Sequence, residues 1–184
     1  MNIDRYNISR RIGKVRQIGF ACLLLGASTG LAAEKTSDVP LVIGSFELSD
    51  QYDFTRKLAF PATNITVITV ADKKGSAQVD SWVLPLANRY GERVAIAGIA
   101  DVSTVPRLLR STVQKQFKKR WSHTVMLDWE GTVVRRFHCR ADEANVFVID
   151  RQGRVTSCFF GAASSASLGA LFHSVDLALS ATEP

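Results

Sequence analysis

The chain alternates between short runs of apolar, β-branched residues and longer stretches in which apolar side chains recur every three or four positions. "ITVITVA", Ile65 to Ala71, has no turn residue inside it, the form of a strand buried on both faces. After the polar loop "DKKGS", Val79, Trp82, Val83, Leu86 and Tyr90 follow i, i+3, i+4, i+7, i+11 spacing. That is one stripe of an amphipathic helix, with Ser76 as its expected N-cap and Pro85 bending it from inside. Trp82 falls on this stripe and reads as core. "RVAIAGIADV", Arg93 to Val102, is the next strand. "STVPRLLRSTVQKQFKKRW" follows as a helix with Ser103 or Thr104 as cap and Pro106 in its first turn.

The flanking segments complete the pattern. "LVIGSFEL", Leu41 to Leu48, reads as a first strand and "SDQYDFTRKLAFPAT" as a connecting segment. "HTVMLDWEGTVVRRFHC" gives a short strand, the acidic turn Asp128 to Gly131 and a turn or two of helix; acids there suit helix capping. In "NVFVIDRQGRVTSCFFG", two β-rich runs flank "DRQG", where Asp150 can bond the turn backbone and Gly153 can take positive φ. A β-hairpin results, with Cys158 expected roughly opposite Asn145. Ser164 to Ser180 closes the chain as a helix with Leu168, Leu171, Val175 and Leu179 on one side. Strands alternate with helices until a late hairpin, so the fold class is α/β: a mixed sheet with helices on both faces.

The N-terminus has a different pattern. Of 23 basic and 17 acidic residues, Arg5, Arg10, Arg11, Lys14, Arg16 and the single acid Asp4 precede Glu34. The remaining 18 and 16 nearly cancel, so nucleic acid is not an expected partner despite the formal charge of +6. The basic head leads into "IGFACLLLGASTGLAA", a short apolar run ending in small residues, the layout of a secretory signal peptide cut near Ala32 or Ala33. The domains expected are a signal peptide over 1–33, a flexible segment over 34–40 and one folded domain over 41–184, periplasmic or secreted. "SRRIGK" partly matches a twin-arginine signal, so the export route stays open. No stable membrane span is expected after cleavage.

Export leaves two cysteines, Cys139 and Cys158. They read as a structural disulfide, as two unpaired thiols, or as a working redox pair. His123, His138 and His173 have no paired metal spacing, and no metal or cofactor is expected. Asp72, Lys73 and Lys74 read as loop solubilisers. Arg107, Arg110, Lys115, Lys118, Lys119 and Arg120 read as a solvated helix face, with an anionic partner as the alternative.

Three segments carry a resemblance. "FELSDQYD", "VMLDWEGTVVRRFHC" and above all "ANVFVIDRQGRV" are similar to motifs of the thioredoxin superfamily, in its exported redoxin and TlpA-like branch, over about Phe46 to Ser180. The resemblance implies a three-layer α/β/α sandwich with a C-terminal hairpin plus helix. It also implies where the active site would stand. Pro85 matches the helix proline eight positions after the first cysteine of C-x-x-C, which puts Ala77 at the attacking cysteine and Asp80 at the resolving one. Counting back from Asp150 puts Ala144 at the cis-proline. An alanine methyl has no proton to lose, and a cis peptide before a non-proline residue costs about 3 kcal/mol. These three degenerate positions imply a binding or accessory module of the cell envelope, with a protein or peptide partner held around Ser76, Ala77, Trp82 and Ala144. The competing expectation is an atypical thiol-disulfide oxidoreductase using Cys139 and Cys158.

Overall fold

The computed structural model describes residues 41–181. The predicted signal peptide and the segment 34–40 lie outside the described residues. Two sheets form. A hairpin of β1 (Phe46–Ser49) and β2 (Thr55–Leu58) makes the smaller one. The larger has the order β5-β4-β3-β6-β7, with β3 (Ile65–Ala71) at its centre, β4 (Val94–Asp101) and β5 (Met126–Asp128) to one side, and β6 (Asn145–Ile149) and β7 (Val155–Phe160) to the other. β3 pairs parallel with β4 and antiparallel with β6, so the sheet is mixed as the pattern predicted.

Side-chain alternation on the strands assigns the layers. Ile65 and Val67 of β3 and Val146 and Val148 of β6 pack under Trp82, Leu86 and Tyr90 of α1 (Asp80–Tyr90) and Leu171, Val175 and Ala178 of α4 (Ser165–Ser180). α2 (Arg110–Arg120) covers the same face further along, Val113 and Phe117 resting on Ala100 and Leu127. The intervening residues Ile68, Val70, Ile99, Phe147 and Ile149 point the other way, against Val133 and Phe137 around α3 (Thr132–Arg136) and the inner side of the β1–β2 hairpin. Right-handed crossovers taken in one direction, β3 to β4 to β5, put α1 and α2 on a common face. The return to β6 leaves α3 on the other. All three apolar clusters close within residues 43–179.

Several sequence expectations are corrected. The first strand starts at Phe46; before it the chain pairs with the hairpin turn instead, Val42 bridging Arg154 and Ile43 N donating to Gly153 O at 2.7 Å. The connecting segment contains a strand, β2, which hydrophobicity hides. Its half-buried positions are Arg56 and Leu58, and Arg56 Nε donates to Asp50 Oδ2 at 2.7 Å. Asp50 Oδ1 also accepts from Tyr52 N (2.7 Å) and Phe54 N (3.0 Å), which turns β1 into β2. Ser103 and Thr104 do not cap α2: Ser103 is bound by Asp101 Oδ1 through both N (3.0 Å) and Oγ (2.7 Å), and a short 3-10 turn over Arg107–Leu109 leads into the helix. Cys158 stands opposite Phe147, not Asn145. The turn is one residue wider than assumed, Asp150 N donating to Arg154 O at 3.0 Å, and a bulge in β7 beside Val148 and Ile149 adds another.

Other expectations hold. Pro85 lies inside α1 and Gly153 has φ +85°. The structure adds that Ser164 caps α4 through a capping box with Ser167. Asp128 is fully buried, accepting from Thr132 N and Oγ1 through Oδ1 and from Val133 N and Val134 N through Oδ2.

Two stability measurements follow. Trp82 is 1% exposed, stacks on Phe159 and donates its Nε1 to Gly161 O at 2.7 Å. Trp82→Ala should lower unfolding free energy by about 3–5 kcal/mol in a urea titration. Asp150 titrates with the fold: burial pushes its carboxyl up, but backbone N–H groups of Arg154 and Gln152 and the Arg154 guanidinium outweigh burial and hold it below the usual range. A depressed folded pKa contributes stability above the unfolded value of about 3.9 and loses it as pH falls through the folded value. The gap between wild type and Asp150→Asn should therefore be widest near neutral pH, about 1–2 kcal/mol, and shrink below about pH 4.

Candidate functional site

The chain steps outward from β3 to β4 and β5, then returns to β6 on the other side of β3. The loops at 72–79 and 137–144 therefore part at the carboxyl end of β3, a topological switch point, where open α/β sheets form their crevices. Each parallel strand ends at an aspartate that binds the backbone after it: Asp72 after β3, Asp101 on β4 and Asp128 on β5.

Asp72 is the hub of the candidate site. Its Oδ1 accepts from Lys74 N (2.9 Å) and Gly75 N (2.8 Å), and its Oδ2 accepts from Asp142 N (2.7 Å) in the opposing loop. Burial raises its carboxyl, but the N–H groups of Gly75, Asp142 and Lys74, with the Lys74 charge, overcome burial and hold it below the usual range. Lys74 Nζ meets Asp142 Oδ2 at 2.7 Å across the loops, which raises the Lys74 pKa. Gly75 is where the loops touch. A Cβ there would stand 2.3 Å from the Glu143 carbonyl oxygen, so no larger residue fits without parting them.

The opposing loop is satisfied from within. Asn145 Nδ2 donates to the carbonyls of Val70, Arg140 and Glu143, at 3.2, 3.0 and 2.9 Å, and its Oδ1 accepts from Arg140 N at 2.6 Å. Ala144, at the position the resemblance gives to cis-proline, is fully buried. Unlike proline it carries an N–H, and Gln78 Oε1 accepts it at 3.0 Å while Gln78 Nε2 donates to Asp142 O at 3.2 Å. The Ala144 carbonyl accepts from Gly161 N at 2.9 Å. Gln78 and Val79 stand between the two positions that hold cysteines in C-x-x-C, so Gln78 spans the gap those thiols would border.

The predicted site residues separate into two groups. Ala77 is exposed on a 3-10 turn over Gly75–Gln78, and Asp80 is exposed as the first residue of α1. Ser76 is half-buried beside them but does not cap α1: its Oγ donates to Lys73 O at 2.8 Å, and the capping position is Val79. Trp82 is withdrawn as a binding residue, because it lies in the core and its only polar atom is used by Gly161. Ala144 likewise offers no side-chain surface.

Cys139 and Cys158 are not bonded to each other; both are half-buried against the apolar cluster beneath α3. Burial, then the charges of Asp101 and Asp128, push the Cys139 thiol up to about 12. That environment is the reverse of the cationic, helix-terminal setting that makes a thiolate. Of the sequence alternatives, a structural disulfide is not formed in this structure.

Asp72 and Gln78 were missed as site residues. The signal for Asp72 was present, because "DKKG" has the same D-x-x-G spacing as "DWEG" and "DRQG", in both of which the aspartate had already been given a backbone role. No local signal marks Gln78, whose partners lie 64 and 66 positions away.

No protein-family profile matches the chain, and no curated protein sequence matches it. Solved structures do. A Chlorobium tepidum protein assigned as thiol:disulfide interchange protein DsbE superposes with TM-score 0.60 at 18% identity, over 77% of this chain and 98% of its own. The exposed lipoprotein thioredoxin Etrx1 of Streptococcus pneumoniae gives 0.58 at 15% identity, over 73% and 99%. Peroxidoxin BcpB of Mycobacterium tuberculosis gives 0.52 at 17%, over 79% and 97%. The chain from β1 to α4 has the thioredoxin-like fold of these redox proteins.

Proposed function

We propose that this chain is an exported thioredoxin-fold module that works by binding a protein partner, without thiol-disulfide exchange at the switch-point site. The observation that carries this is the Gln78 contact to Ala144. Two interchange and thioredoxin neighbours and a peroxidoxin share the fold, but here the positions of the reactive pair are Ala77 and Asp80. The backbone donor created by replacing proline at 144 is taken up by the side chain between them. The loops are tied shut by Asp72, Gly75 and Gln78 in a form that uses no sulfur. The N–H of Ala144 is therefore not free to pair with an extended peptide, and a partner meets side chains at the exposed rim, Lys73, Lys74, Ala77 and Asp80. Export is supported by the basic head and apolar run before Glu34. It is also supported by likeness to a structure described as an exposed lipoprotein.

Activity tests the first half of the proposal. Wild type should not reduce insulin disulfides or consume peroxide above background, and Ala77→Cys with Asp80→Cys should create a dithiol that oxidises to a disulfide. Turnover by wild type that vanishes in Cys139→Ser with Cys158→Ser would establish the competing oxidoreductase reading.

A double-mutant cycle tests the second. Gln78→Ala leaves a buried N–H unpaired and should cost about 1–3 kcal/mol in urea unfolding. In an Ala144→Pro background that N–H is gone, and the same change should cost about 1 kcal/mol less. Equal costs in both backgrounds would mean that the contact does not hold the loops.

A further inference from the structure

We infer that α2, with the turn beside it, is a docking face for an anionic lipid surface. From Val102 to Leu127 the chain contains six basic residues and no acid. Arg110 pairs with Glu130 at 3.0 Å and lies over the Trp129 ring. Among the described residues, the other five, Arg107, Lys115, Lys118, Lys119 and Arg120, have no carboxylate in salt-bridge range. Two acids of the neighbouring β1–β2 turn are engaged: Asp53 Oδ1 accepts from Gln114 Nε2 at 2.6 Å, and Asp50 holds Arg56.

Apolar groups stand out on the same face. Leu108 is 93% exposed and Leu109 51%, both on the turn that leads into α2. The β1–β2 turn brings Tyr52 and Phe54, 42% and 63% exposed. That turn is held to α2 by the Asp53–Gln114 bond and by Lys118 Nζ 5.8 Å over the Tyr52 ring. Arg120 lies over Trp121 at 5.1 Å. Cations with bare leucine and aromatic rings among them are what a headgroup layer receives: charge at the phosphates, apolar tips just below.

The shape favours a membrane over an acidic peptide. α2 rests on the sheet through Val113 and Phe117 and exposes 7 of its 11 residues, so its cations fan out over a convex ridge. An extended peptide needs a groove or a strand edge. A plane of anionic headgroups needs neither. This face is separate from the Asp72 loops and does not rest on the absence of thiol chemistry.

The test is sedimentation with vesicles, using the chain from Glu34 onward, which contains every described element and the whole described core. A cooperative melt is required of each variant, and the substituted side chains are all exposed. Binding to mixed phosphatidylglycerol and phosphatidylcholine vesicles should be clear at low salt, weaken as salt rises, and be absent for phosphatidylcholine alone. At about fivefold per cation, K115E with K118E and K119E should reduce partitioning by on the order of a hundredfold. L108S with L109S should reduce it several-fold and leave the salt dependence intact. Equal binding to neutral vesicles, or no effect of the charge reversals, would overturn the proposal. So would binding to poly-glutamate with none to anionic vesicles, which would make the occupant an acidic protein.

Discussion

Every residue of β3 is buried, with a strand on each edge and packed side chains on each face. A backbone held in this way cannot shift its register without turning its whole apolar set toward the wrong layer. The carboxyl end of β3 is therefore the fixed point of the molecule. Asp72 comes directly after it, and Asn145 reaches back from β6 to the Val70 carbonyl in it. Both loops of the candidate site take their positions from this one strand end.

The aspartates at the strand ends repeat one physical solution. A chain leaving a buried strand exposes N–H groups that no longer have a ladder partner, and a carboxylate two to six residues earlier can accept them. Asp72, Asp101, Asp128 and Asp150 all do so. The crowding of carboxylates has an electrostatic cost for a thiol nearby. Burial first, and then the charges of Asp101 and Asp128, push the thiol of half-buried Cys139 up. The carboxylates that shape the loops thus add to burial in favouring the protonated thiol.

The Gln78 contact shows how one side chain can hold two loops together. Proline at position 144 would present no donor. Alanine presents one in a fully buried place, where leaving it unpaired is costly. Gln78 supplies both an acceptor for Ala144 and a donor for Asp142, so one side chain ties the start of α1 to the opposing loop.

The sequence by itself determined the elements whose signal is local. Uninterrupted apolar and β-branched runs located β3, β4, β6 and β7, period-3.6 patterns located α1 and α4, and the two β-rich runs flanking "DRQG" located the hairpin. Tertiary structure decided whatever depends on groups distant in sequence. β2 was invisible because its half-buried Arg56 is made tolerable by a pairing with Asp50 that hydrophobicity does not report. The pairing of Cys158 with Phe147 depends on a bulge that no residue type announces. Trp82, Asp72 and Gln78 acquired their roles from partners 79, 70 and 66 positions away. Periodicity reports which side of an element faces inward, because that follows from backbone geometry within a few residues. Which polar atom meets which across two loops is set only when the sheet order brings the loops together.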